Sequence, residues 1–426
     1  MRSILCHSPI DAVLCRARLE RMNESSNAPP PCAHQPLRGL RVVEMSHMVM
    51  GPACGMILAD LGAEVIKIEP LGGDRTRQLL GAGAGFFPLF NRNKLSLALD
   101  LHQPEGQAVA QRMCSRADVL IENFKPGALA RYGLGYESLR QSNERLIYVS
   151  HKGFLPGPYQ ERLALDEVVQ MMGGLAYMTG RPGDPLRAGS SVNDIMGGMF
   201  GAIGVMAALI ARGISGKGME VQSALYENNV FLVGQHMLQH AILQKPVAPM
   251  PARVSPWAIY DVFTVRDDEQ IFLAAVSDAQ WLAFCDALEW PDLKADPALA
   301  SNNQRVLARP SLMPRLRERL ALFTASDLAH RMERAGLPYA PIRRPEDLLG
   351  DEHLLATGGL APMTLPDGVR AGAQVLTPLL PITLQGQRPG IERSPPRCGE
   401  HSDQVLQSFG YPQEEIERLR SHGVVA

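Results

Sequence analysis

Residues 40–69 read LRVVEMSHMVMGPACGMILADLGAEVIKIE, and three patterns follow one another in them. Val42-Val43-Glu44-Met45 is a short strand-forming run, Gly51 to Leu61 carries apolar residues at helical spacing, and Glu64-Val65-Ile66-Lys67-Ile68-Glu69 is a second strand-forming run. Short apolar strands joined by a helix are what a parallel sheet covered on both faces requires, because such strands have no solvent-facing side. The rhythm continues downstream. Pro104 to Ala117 reads as a helix, with Pro in its first turn and Glu105 beside it, and leads into Asp118-Val119-Leu120-Ile121-Glu122. Leu146-Ile147-Tyr148-Val149-Ser150 is a further strand, Asp166 to Met178 a helix, and Met219-Glu220-Val221-Gln222-Ser223 a strand after the Gly216-Lys217-Gly218 turn. The fold class is therefore α/β, with a Rossmann-like large domain. No GxGxxG follows the first strand, and Gly51 with Gly55 is too little for a dinucleotide fingerprint, which argues against a nicotinamide dehydrogenase.

At 426 residues two domains are expected. Between residues 231 and 256 the chain approaches a proline-rich stretch (Pro246, Pro249, Pro251, Pro256) that reads as a linker or crossing. A smaller α+β domain is placed over residues 257–355, and the large domain over 37–230 and 356–426. Strands are expected near Tyr260 to Val265 and Ile271 to Val276, then a helix from Asp278 and charged helices over Asn303 to Phe323 and Ser326 to Ala335. Residues 1–36, with Pro29-Pro30-Pro31 and the polar run from Asn23 to Asn27, read as a disordered extension. Met22 is a candidate start, and Asp11, Glu20 and Glu24 argue against a transit peptide.

Lys plus Arg number 42 against 44 Asp plus Glu, so no nucleic-acid footprint is expected. The sequence holds no uninterrupted apolar run of membrane-spanning length, and a soluble, cytoplasmic protein is expected. Seven scattered cysteines without CxxC spacing read as free thiols in a reducing compartment. His236 and His240 stand one turn apart, but no carboxylate lies between them as in HExxH, and a core or surface helix accounts for them without a metal.

The stretch that carries chemistry is GDPLRAGSSVNDIMGGMFGAIG, residues 183–204. A polar run, Ser190 to Asp194, precedes an apolar helix thinned by Gly197, Gly198, Gly201 and Gly204. Each glycine costs about 1 kcal/mol relative to Ala, so the helix needs a close neighbour, backbone or ligand, to justify them. Asn193-Asp194 is where an N-cap belongs, and Asp194 is read as capping the helix mouth, a position that favours an anion.

These residues resemble the class III CoA-transferases of the CaiB/BaiF type, relatives of formyl-CoA transferase and α-methylacyl-CoA racemase. The matches are Gly51-Pro52, the run from Leu61 to Glu69, Asn91-Arg92-Asn93-Lys94, Asp118 to Phe124, and Gly399-Glu400-His401. The resemblance implies a large domain built from both chain ends, a smaller middle domain, and an interlocked homodimer. It implies that Asp194 is the catalytic nucleophile, carrying acyl and then CoA groups, with no metal and no tightly bound cofactor. It points to Lys67, Asn93, Lys94, Asn123, Phe124 and Arg131 as the residues that hold coenzyme A. The partners implied are an acyl-CoA donor such as succinyl-CoA and a small carboxylic acid, with Arg187 or Arg253 as candidates for a distal carboxylate. The alternatives are a racemase, disfavoured because Leu165 stands where a His-Asp pair would put its histidine before Asp166, and a non-catalytic CoA-binding protein. Residues 250–257 contain no glycine, so a glycine-rich lid before Trp257 is not expected here.

Overall fold

The computed structural model describes residues 35–253 and 255–426. The proposed extension, apart from its last two residues, and Cys6, Cys15 and Cys32 lie outside the described residues. The 40–69 segment forms strand β1 (Arg41–Met45), helix α1 (Met50–Asp60) and strand β2 (Glu64–Glu69). With β3 (Lys94–Ala98), β4 (Val119–Glu122), β5 (Ile147–Lys152) and β6 (Glu220–Ala224) they make a six-stranded sheet in the order β3-β2-β1-β4-β5-β6. Every neighbouring pair is parallel. The chain starts in the middle, runs outward to β3, then returns to the other side of β1, so the order reverses between β1 and β4. In open sheets of this kind, that reversal opens a crevice beyond the carboxyl ends of the two strands.

Alternate strand residues feed two cores, as the period of a strand demands. Val43, Ile66, Leu95 and Leu120 meet helix Pro104–Cys114 and the C-terminal helices Ser402–Ser408 and Gln413–Ser421 on one side. Val42, Val65, Val119 and Ile147 meet α1 and the glycine-thinned helix on the other. The helix expected from Asp166 to Met178 is two helices, α2 (Asp166–Met172) and Leu175–Thr179, because Gly174 turns into the left-handed region at φ 85°. The apolar helix, α3 (Val192–Ser215), is followed by β6 and then α4 (Leu225–Leu243). Residues 231–243, assigned to the crossing on the strength of the prolines beyond them, are thus helical. α3 is long and apolar enough to cross a membrane by length and composition alone. It nevertheless lays its glycine face on α1 and joins Arg212 to Asp118 at 2.9 Å.

The outer edge of β3 is not left open. Ser96 O accepts from the His401 amide, Ala98 O from the Ala426 amide, and Leu99 bridges to Val425. The chain divides into two compact units, one running up to Pro251 and resuming at Gly350–Ala426, the other Ala252–Leu349. The second holds an antiparallel sheet of β7 (Ile259–Thr264), β8 (Gln270–Ala275) and β9 (Tyr339–Pro341). Its own core includes Trp281, Phe284, Leu316 and Leu328. The charged helix expected over Asn303 to Phe323 breaks at Ala308, since Pro310 cannot donate to the turn before it.

Candidate active site

The loop after β1 carries His47-Met48-Val49 into α1, at the carboxyl edge of the sheet beside the reversal. Asn123, just past β4, brackets this loop: its oxygen accepts the His47 amide at 3.0 Å and its nitrogen donates to the His47 carbonyl at 2.7 Å. Phe124 packs its ring on the His47 imidazole with centroids 5.4 Å apart. Lys152, at the end of β5, reaches the same edge and donates to Glu122 at 2.5 Å and to the Phe124 carbonyl at 2.7 Å. Arg131 is exposed nearby in sequence, on the turn Ala130–Tyr132. His47 and Lys152 were not among the residues chosen from the sequence. Their signal is position, one at the carboxyl end of each strand flanking β4.

Lys67, Lys94 and Asn93 are placed otherwise than the resemblance implied. Both ammonium groups are wholly buried. Lys67 donates to the Ser46 carbonyl at 2.7 Å and pairs with Asp74 at 3.0 Å and Glu44 at 3.4 Å. Lys94 donates to the Pro52 carbonyl and Asn91 Oδ1, both at 3.0 Å, and pairs with Glu44 at 2.6 Å. An ammonium has three N–H donors, and each of these meets three acceptors, so neither has one left for a phosphate. Burial pulls Lys94 down to about 8 despite Glu44. Burial acts in the same sense on Lys67, but Glu44 and Asp74 outweigh it and hold Lys67 above the usual lysine range. Asn93, at φ 62°, donates to Asp60 and the Gly390 carbonyl and accepts the amides of Glu392 and Arg393. It staples the returning C-terminal segment to the sheet.

Asp194 lies in α3, but not at its cap. The helix begins at Val192, with Ser191 as a cap residue that makes no side-chain bond, so Asp194 is the third helical residue. The first-turn amide of Asn193 donates to Asp166 at 2.8 Å instead. The glycines behind Asp194 are explained by close packing. A Cβ on Gly198 would come within 2.9 Å of the Cys54 nitrogen and the Met50 carbonyl, and one on Gly201 within 2.4 Å of His151. Ile195 joins Val49 and Ala53 in a small apolar cluster, which ties the first turn of α3 to the loop after β1. Asp194 is therefore held at the same sheet edge as Asn123 and Phe124.

The Asp194 carboxyl is partly open to solvent, yet its pKa is pushed up to about 7, by burial first and then by the Asp166 charge, with Arg187 acting in the opposite sense. Arg187 is partly exposed and paired with Glu167. Leu165 precedes α2 and is 68% exposed, so an aliphatic group stands where the racemase reading needs an imidazole. His151 is buried, and burial pushes it down to about 3, so it is neutral and enclosed. On α4, His236 is half-buried and His240 exposed, engaged with neighbouring glutamines and the Lys245 carbonyl respectively. Arg253 and Trp257 belong to the other unit, where Trp257 packs on Tyr260 at 5.0 Å.

Comparison with known proteins shows the family. The model of CoA-transferase family III matches residues 37–402. The succinate–glutarate CoA-transferase of Agrobacterium fabrum is 34% identical over 405 residues, covering 91% of this chain and 98% of that protein. The formyl-CoA:oxalate CoA-transferase of Bradyrhizobium diazoefficiens is 30% identical over 418 residues, covering 92% and 97%. A crystal structure of a CaiB/BaiF family protein from Brucella suis superposes with a TM-score of 0.79 at 32% identity, covering 88% of this chain and all of that one. With a family match over residues 37–402 and relatives at 30% identity or more along most of its length, the chain belongs to CoA-transferase family III and is an enzyme of that class.

Proposed function

We propose that the enzyme moves coenzyme A between dicarboxylic acids, with succinyl-CoA as donor, through covalent intermediates on Asp194. The observation that carries the reading is a partly exposed carboxylate held in the first turn of α3, where burial and the Asp166 charge push its pKa up to about 7. Its ionised oxygen attacks the thioester carbonyl, the C–S bond breaks, and CoA leaves as the thiolate, giving a mixed anhydride. The thiolate attacks the aspartyl carbonyl, the donor acid leaves as carboxylate, and Asp194 becomes a CoA thioester. The acceptor carboxylate attacks that thioester, and the released thiolate takes the acyl group from the second anhydride, restoring the free carboxylate. Remote binding of the long CoA chain holds the reacting atoms in line.

The crevice beside His47, Asn123 and Phe124 is the proposed seat of CoA, with Phe124 as a packing surface and Lys152 and Arg131 as cations for its phosphates. Dicarboxylic substrates are proposed from the named relatives, and Arg187 supplies a cation in range of Asp194. We also propose that a second copy of the chain, in an interlocked homodimer, covers the apolar face of α3 and α4. That reading is supported by exposed Met199, Ile203, Ile210 and Ile214 on α3 and Phe231, Leu238 and Ile242 on α4.

The deciding test is Asp194→Asn, assayed with succinyl-CoA and glutarate. The variant should fold as wild type and lose turnover by several orders of magnitude, because an amide oxygen is a poor acyl acceptor. Hydroxylamine added with succinyl-CoA should modify wild type at Asp194 and leave the variant untouched by mass. Near-normal turnover in the variant would overturn the assignment.

A further inference from the structure

The start of α3 is fixed from outside itself. Ser191 makes no capping bond, and the Asn193 amide, one residue before Asp194, donates to Asp166 Oδ1 at 2.8 Å. Asp166 is the first residue of α2 and only 6% exposed. Its other oxygen accepts from Gln170 Nε2 at 2.5 Å, and Gln170, wholly buried, accepts the Ala188 amide at 2.8 Å. Two side chains one turn apart on α2 thus hold both the first turn of α3 and the segment bearing Arg187. An amide or hydroxyl oxygen would serve to cap a helix. A buried carboxylate beside Asp194 is a costly choice, since like charges at short range oppose each other's ionisation.

We propose that Asp166, locked by Gln170, is a positioning residue for the nucleophile: it aims Asp194 by holding the Asn193 amide, and it sets a second negative charge beside that carboxylate. The proposal rests on the reading of Asp194 as nucleophile. The raised pKa of Asp194 agrees with it, burial and Asp166 pushing up and Arg187 pulling down. Other charged groups on elements packed against α3 are engaged elsewhere. Asp60 pairs with Arg92, Lys152 with Glu122, Arg212 with Asp118, and Glu227 accepts the Leu155 amide. His151 is neutral, and Glu220 is exposed.

The experiment follows acylation of Asp194 by succinyl-CoA in a single turnover, by hydroxylamine trapping and peptide mass, from about pH 5 to about pH 9. It compares wild type, Asp166→Asn, and Asp166→Asn combined with Gln170→Glu. In the double variant every hydrogen bond has a counterpart: the new amide accepts from Asn193 and donates to the carboxylate at 170, which accepts from Ala188. Only the negative charge has moved, one residue further along the network. Removing a like charge lowers the pKa of Asp194, so the acid limb of Asp166→Asn should fall by about one pH unit. Trapping near pH 8 should slow by about ten-fold or more. The double variant should regain the wild-type melting temperature while its limb stays below that of wild type. An unmoved limb in Asp166→Asn, or a double variant that matches wild type in both limb and rate, would reduce Asp166 to a plain cap and overturn the proposal. If Asp166→Asn fails to fold, the double variant is judged by the same limb. No adduct on wild-type Asp194 would instead refute the nucleophile reading on which this one stands.

Discussion

A carboxyl whose pKa is raised to about 7 works against the fold in alkali. The unfolded chain gives up this proton in the ordinary carboxylate range, the folded chain only near 7, so stability present in acid is lost as the pH rises through about 7. Asp194→Asn removes that loss. At about pH 8 the variant should be more stable than wild type by on the order of 2 kcal/mol, after a discount for partial exposure, and the gain should vanish below about pH 4. Thermal melts at the two pH values check it; equal melting at both would show that the site carries no such cost. Glu44 matters to stability through its ion pairs, since its carboxylate meets two buried ammonium groups. Glu44→Ala leaves both under-compensated and should cost about 3–5 kcal/mol in urea unfolding. These pairs also mark what was legible at this scale. The place of Asp194 at the start of an apolar helix is legible in its context, whereas the inward direction of Lys67 and Lys94 is not, because a sequence displays a residue's type and not its direction. A lysine inside EVIKIE, in a sheet covered on both faces, has only the interior to point to, and the glutamate of VVEM is its register partner on β1.

At the scale of elements, five of the six strands of the large sheet were readable, because patterns of period two and 3.6 are local, but β3, the strands Leu360–Thr364 and Gln374–Pro378 and the helix Gln413–Ser421 were not read. Nor were boundaries set by distant contacts. The start of α3 depends on Asp166, whose Oδ1 accepts the Asn193 amide from 27 residues away. The glycines of α3 show how one residue type has two meanings. Gly198→Ala would drive a methyl into the backbone of α1 and should destabilise by about 1–3 kcal/mol. Gly213, in the same helix, has nothing within 4 Å, so Gly213→Ala should stabilise by about 0.5–1 kcal/mol. Opposite signs in chemical denaturation would confirm the distinction, and a shared sign would refute it.

At the scale of the whole molecule, the proposed pairing of two copies makes its own forecast. Ile210→Glu with Phe231→Glu should weaken association, seen as monomer in sedimentation at concentrations where wild type stays dimeric. Wild type dissociating readily on dilution would count against interlocking. Residues 252–349 carry a core of their own, so that segment expressed alone should show a cooperative thermal transition. The edge of β3, closed by His401, Val425 and Ala426, has a consequence for the order of synthesis. As the chain leaves the ribosome, all six strands are out by Ala224 and the middle unit by Leu349, well before the residues that close β3. The sheet must wait with an adhesive border until the final residues emerge, because an unpaired strand edge templates pairing with other chains. Ribosome-bound chains stalled before residue 395 should therefore be the aggregation-prone species, and release of the full chain should end the hazard.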